Sequence, residues 1–350
     1  MHRRGLFPAA PVGALLQKQP AEAQACQTIG LIFEGGIILM SNAGIIGIDV
    51  GGTNFRIGTI ATDGTVQQFR KIPVREVFRS AGPLEDLCTF LHRYISEGRI
   101  EITAISIGFP ATIDRDRKRV LQAPNLPYME NLPVVEYLTE ELGIPVFIER
   151  DVTFVLCYDM VACDIPKRGI ASGFYFGTGV GNAIFINGAP LIGKNGTAGE
   201  LGHIPVDGST LICGCGNVGC MENLAGGKYL ASLTQTVYPD TPIGELFTRH
   251  SSEPPLIRYV DRMAQAVATE INILDPDYVL IGGGVLAMKD FPRRTLEEML
   301  LKRVRKPYPA ENLQLLFPED RPEKGVVGAA YFAMDLMKQT PPETEGIRIG

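Results

Sequence analysis

The sequence has no surplus of positive charge: 33 Lys and Arg stand against 39 Asp and Glu, a formal net charge of −6. That balance argues against non-specific duplex binding, because a phosphate-neutralising surface needs an excess of cations. An acidic ligand remains compatible if its binding groups are local. Charged residues reach only 21% against 45% hydrophobic, which excludes disorder as the main state of the 350-residue chain. Tryptophan is missing altogether, whereas 39 glycines and 25 prolines signal many turns, loops and close backbone approaches. Function is therefore expected on glycine loops. Seven cysteines are an odd count, and three crowd together as Cys213, Cys215 and Cys220, so metal ligation in a reducing compartment fits better than a disulfide framework.

The first forty residues offer no sustained apolar period. The run from Ile29 to Leu39 is broken by Gly30, Glu34, Gly35 and Gly36 and is too short to span a bilayer. Arg3 and Arg4 are not followed by a clean apolar region or cleavage site, so export is not expected. Glu34-Gly35-Gly36 can be encoded by a purine-rich ribosome-binding sequence just ahead of Met40 as a start codon. Residues 1–40 are thus read as an extension, either translated leader or disordered.

From Ile45 the pattern becomes regular, and the length suits two medium domains, 41–150 and 151–337, with a last helix about 338–350 returning to the first. Strands are expected at Ile45–Val50, Phe55–Ala61 and Thr65–Ile72, joined by Gly51-Gly52-Thr53-Asn54 and Asp63-Gly64 turns. Helical spacing at Leu84, Leu87, Cys88 and Leu91 precedes an apolar strand Ile102–Phe109, a helix near Val134–Leu142 and a strand Val146–Glu149. The second half restarts with a strand Gly173–Phe176, a Gly177-Thr178-Gly179 turn, a strand Gly181–Ile186 and an Asn187-Gly188 turn. Val260, Met263, Ala264, Val267, Ile271 and Leu274 line one helix face that Asp275-Pro276 closes, ahead of a strand Tyr278–Ile281 and a helix from about Val326 to Met337. An ancient duplication, with two facing α/β domains and a hinged cleft, fits this order.

In Asp49-Val50-Gly51-Gly52-Thr53-Asn54 the missing Cβ atoms let N–H groups approach phosphate oxygens, although an ordinary glycine hairpin has the same look. No helix follows the glycines directly, so the loop is neither a dinucleotide fingerprint nor a P-loop. Gly177-Thr178-Gly179-Val180-Gly181 supplies a second such turn and Gly282-Gly283-Gly284 a third. Asp49, at the end of its strand, suits the water shell of Mg²⁺ on a nucleotide.

His203 with Cys213, Cys215 and Cys220 makes a closed Cys₃His donor set for structural Zn²⁺, with a redox pair as the weaker rival. The second ring nitrogen of His203 is left to face a substrate hydroxyl beside Glu200. Glu222 either points into the same pocket or serves as a helix-start carboxylate. Asp151 either caps the helix after the strand Val146–Glu149 or accepts a proton from an alcohol attacking a γ-phosphate.

Together these residues resemble the ROK family of repressors and sugar kinases, within the actin-like sugar kinase superfamily, over nearly all the chain from Ile45. The most specific part is Gly199-Glu200-Leu201-Gly202-His203 leading into Cys213-x-Cys215-Gly-x-x-Gly-Cys220-x-Glu222. The resemblance implies an α/β fold of two actin-like, ribonuclease H-type βββαβαβα domains flanking a cleft, with a zinc-stabilised loop in the C-terminal domain. It implies Asp151 as catalytic base and sugar hydroxyls bound by Asn125, Glu200, His203 and Glu222. ATP would meet Asp49, Gly51, Gly52, Thr53, Asn54, Arg56, Gly177, Thr178, Gly179 and Gly181, with Gly282, Gly283 and Gly284 near adenosine. Within the family, Gly108-Phe109-Pro110-Ala111, Pro124-Asn125-Leu126-Pro127, Arg150-Asp151-Val152 and Asp290-Phe291-Pro292-Arg293 are similar to members that phosphorylate the 6-hydroxyl of D-allose. Many glucose-type members have Asn where this chain has Arg150, and Pro-Gly where it has Pro110-Ala111. Glucose, fructose and N-acetylmannosamine are the competing substrates. A sugar-responsive repressor is disfavoured, because residues 1–40 are too short for paired DNA-binding helices. The resemblance further implies a homodimer, while the lack of an export signal, the nucleotide requirement and the thiolate cluster point to the cytoplasm, and no nucleic-acid or membrane partner is expected.

Overall fold

The computed structural model describes residues 43–339. The extension read at residues 1–40 and the segment 340–350 lie outside the described residues.

The first half opens with the expected meander, β1 (Ala43–Val50), β2 (Asn54–Ala61) and β3 (Val66–Pro73), paired antiparallel. Helix α1 (Pro83–Glu97) starts on a proline, whose missing N–H costs nothing at a first helical position, and buries Leu84, Leu87, Cys88 and Leu91. Then follow β4 (Glu101–Phe109), a small hairpin of β5 (Thr112–Ile113) and β6 (Val120–Gln122), α2 (Val134–Leu142) and β7 (Val146–Arg150). The sheet order is β3-β2-β1-β4-β7, with β1, β4 and β7 parallel. β1 is buried along almost its whole length, as expected of a parallel strand covered on both faces.

The second half comprises α3 (Asp151–Ala162), β8 (Ile170–Phe176), β9 (Val180–Ile186) and β10 (Ala189–Pro190). After these come α4 (Glu222–Ala225), α5 (Gly227–Thr236), α6 (Leu246–His250), α7 (Pro254–Leu274), β11 (Tyr278–Gly282), α8 (Arg293–Arg303), β12 (Leu315–Leu316) and α9 (Lys324–Gln339). Its sheet order, β10-β9-β8-β11-β12, repeats the first in both sequence and direction. The third and fifth strands have shrunk to two residues each, which is why the strand pattern there is hard to read. Asp275 closes α7 in the left-handed conformation, φ 47°.

Two helices separate the sheets. α9 lies within the span read as the second domain, yet it packs on β1, β2 and β4 of the first sheet, and Val326, Val327, Ala330, Ala333 and Met334 join Ile45, Ile60 and Ala104 in one cluster. α3 is apolar nearly all round and packs on β8 and β9 and against α9. The helices touch so closely at Gly328 that a Cβ there would sit 1.9 Å from the Phe154 carbonyl oxygen.

A buried charge network pins this crossing. Lys324 Nζ lies 2.7 Å from Asp159 Oδ1, with the side chains 6% and 0% exposed, and Tyr175 OH of β8 donates to Asp159 Oδ2 at 2.9 Å. Removing one member leaves the other charge buried and unpaired, which costs about 3–5 kcal/mol, whereas replacing both with apolar groups costs far less. Lys324→Met is therefore expected to lower the thermal midpoint strongly, and Lys324→Met with Asp159→Leu to recover most of it. Calorimetry on both proteins checks this ordering.

Candidate active site

The parallel strands of both sheets point their carboxyl ends into one cleft, the usual position for ligands in such sheets. β1 ends there at Asp49-Val50, β7 at Arg150, β8 just before Gly177, and β11 at Gly282 ahead of Gly283. The cleft has a volume of about 900 Å³.

Of the residues read from the sequence, Asp49, Gly51, Gly52, Arg56, Asn125, Asp151, Gly177, Thr178, Gly179, Gly181, Glu200, His203, Cys215, Glu222 and Gly283 line this cleft together. Thr53, Asn54, Gly282 and Gly284 do not reach its wall, nor do the buried Cys213 and Cys220. Asn54 instead closes its own turn, accepting from Gly51 N–H at 2.8 Å. Gly52 packs on Asn125, whose Cβ would lie 3.2 Å from any Cβ placed there.

The two carboxylates at the cleft floor have different supports. Asp49 and Arg56 are register partners on β1 and β2, and their side chains meet at 2.7 Å. Burial pushes the Asp49 carboxyl upward while Arg56 pulls it back. Asp151 is the first residue of α3, and Arg150 occupies the capping position, so Asp151 does not cap that helix. Its Oδ1 accepts from Val152 N–H at 2.7 Å. Burial first, and then the charge of Asp49, push Asp151 up to about 6 against the opposing pull of Val152 N–H and Arg150.

The second glycine turn rests on the start of α5: Gly227 and Lys228 N–H groups donate to the carbonyls of Gly177 and Thr178 at 2.7 and 3.0 Å. Glu222 opens α4 and also faces the cleft, where its Oε2 accepts from Val180 N–H at 3.1 Å. Both sequence readings of Glu222 thus describe the same side chain.

Beside them, His203 Nδ1 lies 3.6 Å from Cys213 Sγ, Cys215 Sγ lies 3.7 Å from Cys220 Sγ, and all four donor atoms fall within 4.8 Å of one another. A tetrahedral ion bound at about 2.3 Å by sulfur and about 2.1 Å by nitrogen sets donor separations of about 3.5–3.8 Å. The donor set fits. His203 Nε2 points the other way, to 3.6 Å from Glu200 Oε2.

Several cleft residues were not read from the sequence. Lys71 and Lys228 add positive charge to the wall, which Arg321, paired with Glu319, and Lys324, paired with Asp159, also line. Lys324 escaped because the last helix was placed from Val326. Arg150 was noticed only as a departure from pattern, and its contacts are across the cleft: Nη1 donates to the Ala198 carbonyl at 2.7 Å and Nη2 lies 3.1 Å from Glu200 Oε1. Its neighbour Glu149 is fully buried and pairs with Arg117 Nε at 2.8 Å.

The model of the ROK family matches residues 45–336. The chain belongs to the ROK family. It is similar to a glucokinase of Thermotoga maritima, 31% identical over 268 residues that cover 69% of this chain and 82% of the relative. An N-acetyl-D-glucosamine kinase of Escherichia coli O157:H7 is 28% identical, over 72% of this ROK chain and 86% of its own. Among solved structures, a ROK hexokinase from Thermus thermophilus superposes with a TM-score of 0.70 at 25% identity, over 85% of this chain and 100% of its own. Among the described residues, no helix is long and apolar enough to cross a membrane.

The raised carboxyl of Asp151 has a consequence for stability. Its folded value, about 6, lies above the unfolded 3.8, so ionisation works against the folded state as pH rises through this window and costs nothing below it. At pH 7.5 the full cost is up to about 3 kcal/mol, at 1.36 kcal/mol for each unit. Asp151→Asn is accordingly expected to raise the thermal midpoint at pH 7.5 and to match the wild type near pH 4. Scanning calorimetry at both pH values tests this; a lower midpoint at pH 7.5 contradicts it.

Proposed function

We propose that the chain transfers the γ-phosphoryl group of ATP to the 6-hydroxyl of a hexose, D-allose being the preferred one. The observation that carries this reading is the Asp151 carboxylate, raised to about 6 at the floor of a cleft walled by glycine turns on one side and Glu200 and His203 on the other. Kinase activity is further supported by the relatives named for phosphorylating glucose and N-acetylglucosamine.

Asp151 is the general base in this reading. At neutral pH it is ionised, yet its environment favours the proton, so it can take one from the attacking sugar hydroxyl as the new P–O bond forms. Asn125, Glu200, His203 and Glu222 hold the other hydroxyls. The cleft-lining glycines Gly51, Gly52, Gly177, Gly179 and Gly181 let the phosphates approach the backbone, Arg56, Lys71 and Lys228 balance their charge, and Gly283 lies toward adenosine. Asp49 would hold the hydrated Mg²⁺, which when bound neutralises charge on the phosphates. Zn²⁺ on His203, Cys213, Cys215 and Cys220 would be structural, holding the loop that carries Glu200 and His203.

The two sheets are proposed as the cores of two domains, 41–150 with α9 returned to it and 151–323, closing over substrate to exclude water. A homodimer is carried over from the family resemblance, and a cytoplasmic setting from the nucleotide requirement and the thiolate cluster.

The preference for D-allose rests on Arg150 and on Pro110-Ala111, both at the cleft. Coupled assays of ADP release across hexose epimers test it: D-allose is expected to give the highest kcat/KM, and a higher value for glucose or N-acetylglucosamine replaces it with that sugar. Asp151→Asn is expected to cut kcat about 10²–10⁴-fold. In the wild type, kcat/KM should fall tenfold per pH unit below about 6, where Asp151 takes up its proton; a flat profile there rules out Asp151 as the base. Metal analysis is expected to find one zinc per chain, lost in Cys213→Ser with a fall in thermal midpoint.

A further inference from the structure

Resting on the hexose-binding reading of this site, we infer that Arg150 is a positioning residue that selects the hexose epimer through Glu200. Four observations lead there. Arg150 ends β7 in the first sheet, while both its side-chain partners, Ala198 and Glu200, lie on the loop that follows β10 in the second. Its side chain is only 11% exposed, so the charge stands largely out of water and depends on its partners. The same loop is seated on the first half at another point: Gly196, φ 77°, presses on the β5–β6 hairpin so closely that a Cβ would lie 1.9 Å from the Ile113 carbonyl oxygen. Finally, Glu200 Oε1 is taken by Arg150, while Oε2 lies 3.6 Å from His203 Nε2, beyond a hydrogen bond.

The arrangement fixes what Glu200 can offer. One oxygen is occupied, so the carboxylate cannot turn about its last bond without breaking the contact with Arg150. The other oxygen remains an acceptor in one orientation, beside the Nε2 edge of His203. A sugar hydroxyl must then approach from one direction to donate to Glu200, and an epimer with that hydroxyl on the opposite ring face leaves the carboxylate unpaired in a half-buried setting. Sites built from such oriented polar groups discriminate strongly, because the wrong ligand strands a polar group. A shorter neutral side chain at position 150 frees Oε1 and lets the carboxylate follow either epimer. Lysine keeps the charge but not the forked geometry that grips Ala198 and Glu200 together.

The test uses the full chain and its Arg150→Met and Arg150→Lys variants. For each, kcat and KM are measured with D-allose, D-glucose and D-mannose, and binding of the same sugars is followed by calorimetry without nucleotide. In Arg150→Met, the ratio of kcat/KM between the best and second-best epimer is expected to fall at least tenfold, mostly through KM, with Arg150→Lys in between. A Glu200→Gln background provides the second readout. There the Arg150→Met change should alter the ratio less than twofold, because Arg150 acts through Glu200. An unchanged ratio in Arg150→Met, or an equal loss in the Glu200→Gln background, overturns the inference. If Arg150→Met fails to fold, Arg150→Lys carries the test, and wild-type selectivity in it overturns the inference too. Hexose binding without turnover sinks the kinase reading alone, since the calorimetric ratios still decide the role of Arg150. No hexose binding at all sinks both.

Discussion

Everything in the cleft follows from placing two carboxylates, Asp49 and Asp151, at the ends of parallel strands where water is scarce. Left alone, they would repel one another and resist ionisation. The fold resolves this unequally. Asp49 receives Arg56 from the adjacent strand, at the position the β-pairing dictates, and that cation opposes the upward push of burial on its carboxyl. Asp151 receives one backbone N–H and only the partial influence of Arg150, whose guanidinium is turned to Glu200. One carboxylate is thus given a side-chain cation as partner and the other is left favouring its proton, an inequality of the kind that acid–base chemistry uses.

The remaining charges form a chain from one half of the molecule to the other. Arg117 pairs its charge with the buried Glu149, Arg150 turns to Glu200, and Glu200 lies beside His203, whose other nitrogen belongs to the cysteine cluster. The cysteine-rich loop, with few apolar side chains buried, is therefore tied to the cleft wall by its histidine.

Much of this was legible in the residues. The first meander, the first two strands of the second, α2 and the end of α7 at Asp275 follow from turn chemistry and hydrophobic spacing, and local signals decide them. Long separations in sequence did not hide the gathering of Asp49, Asn125, Asp151, Glu200 and His203, because each sits at or just past a strand end or in a glycine-flanked loop. What could not be read was pairing over long separations. Arg150 to Ala198, Arg117 to Glu149 and Lys324 to Asp159 join residues whose sequence neighbourhoods carry no mark of one another. Short elements also escaped: β10 and β12 are two residues long, and α8 lacks a strong apolar face, burying only Leu296 and Leu300.

The path of α9 has a bearing on how the chain acquires its shape. The sheet built from residues 43–150 keeps one face for a helix that begins only at Lys324, so during synthesis that face stays uncovered until nearly the whole polypeptide has emerged from the ribosome. A fragment ending at Arg150 would present Ile45, Ile60 and Ala104 to solvent, with neither α3 nor α9 to cover them. The two halves share one sheet topology, but the first completes its core only with a helix that follows the second.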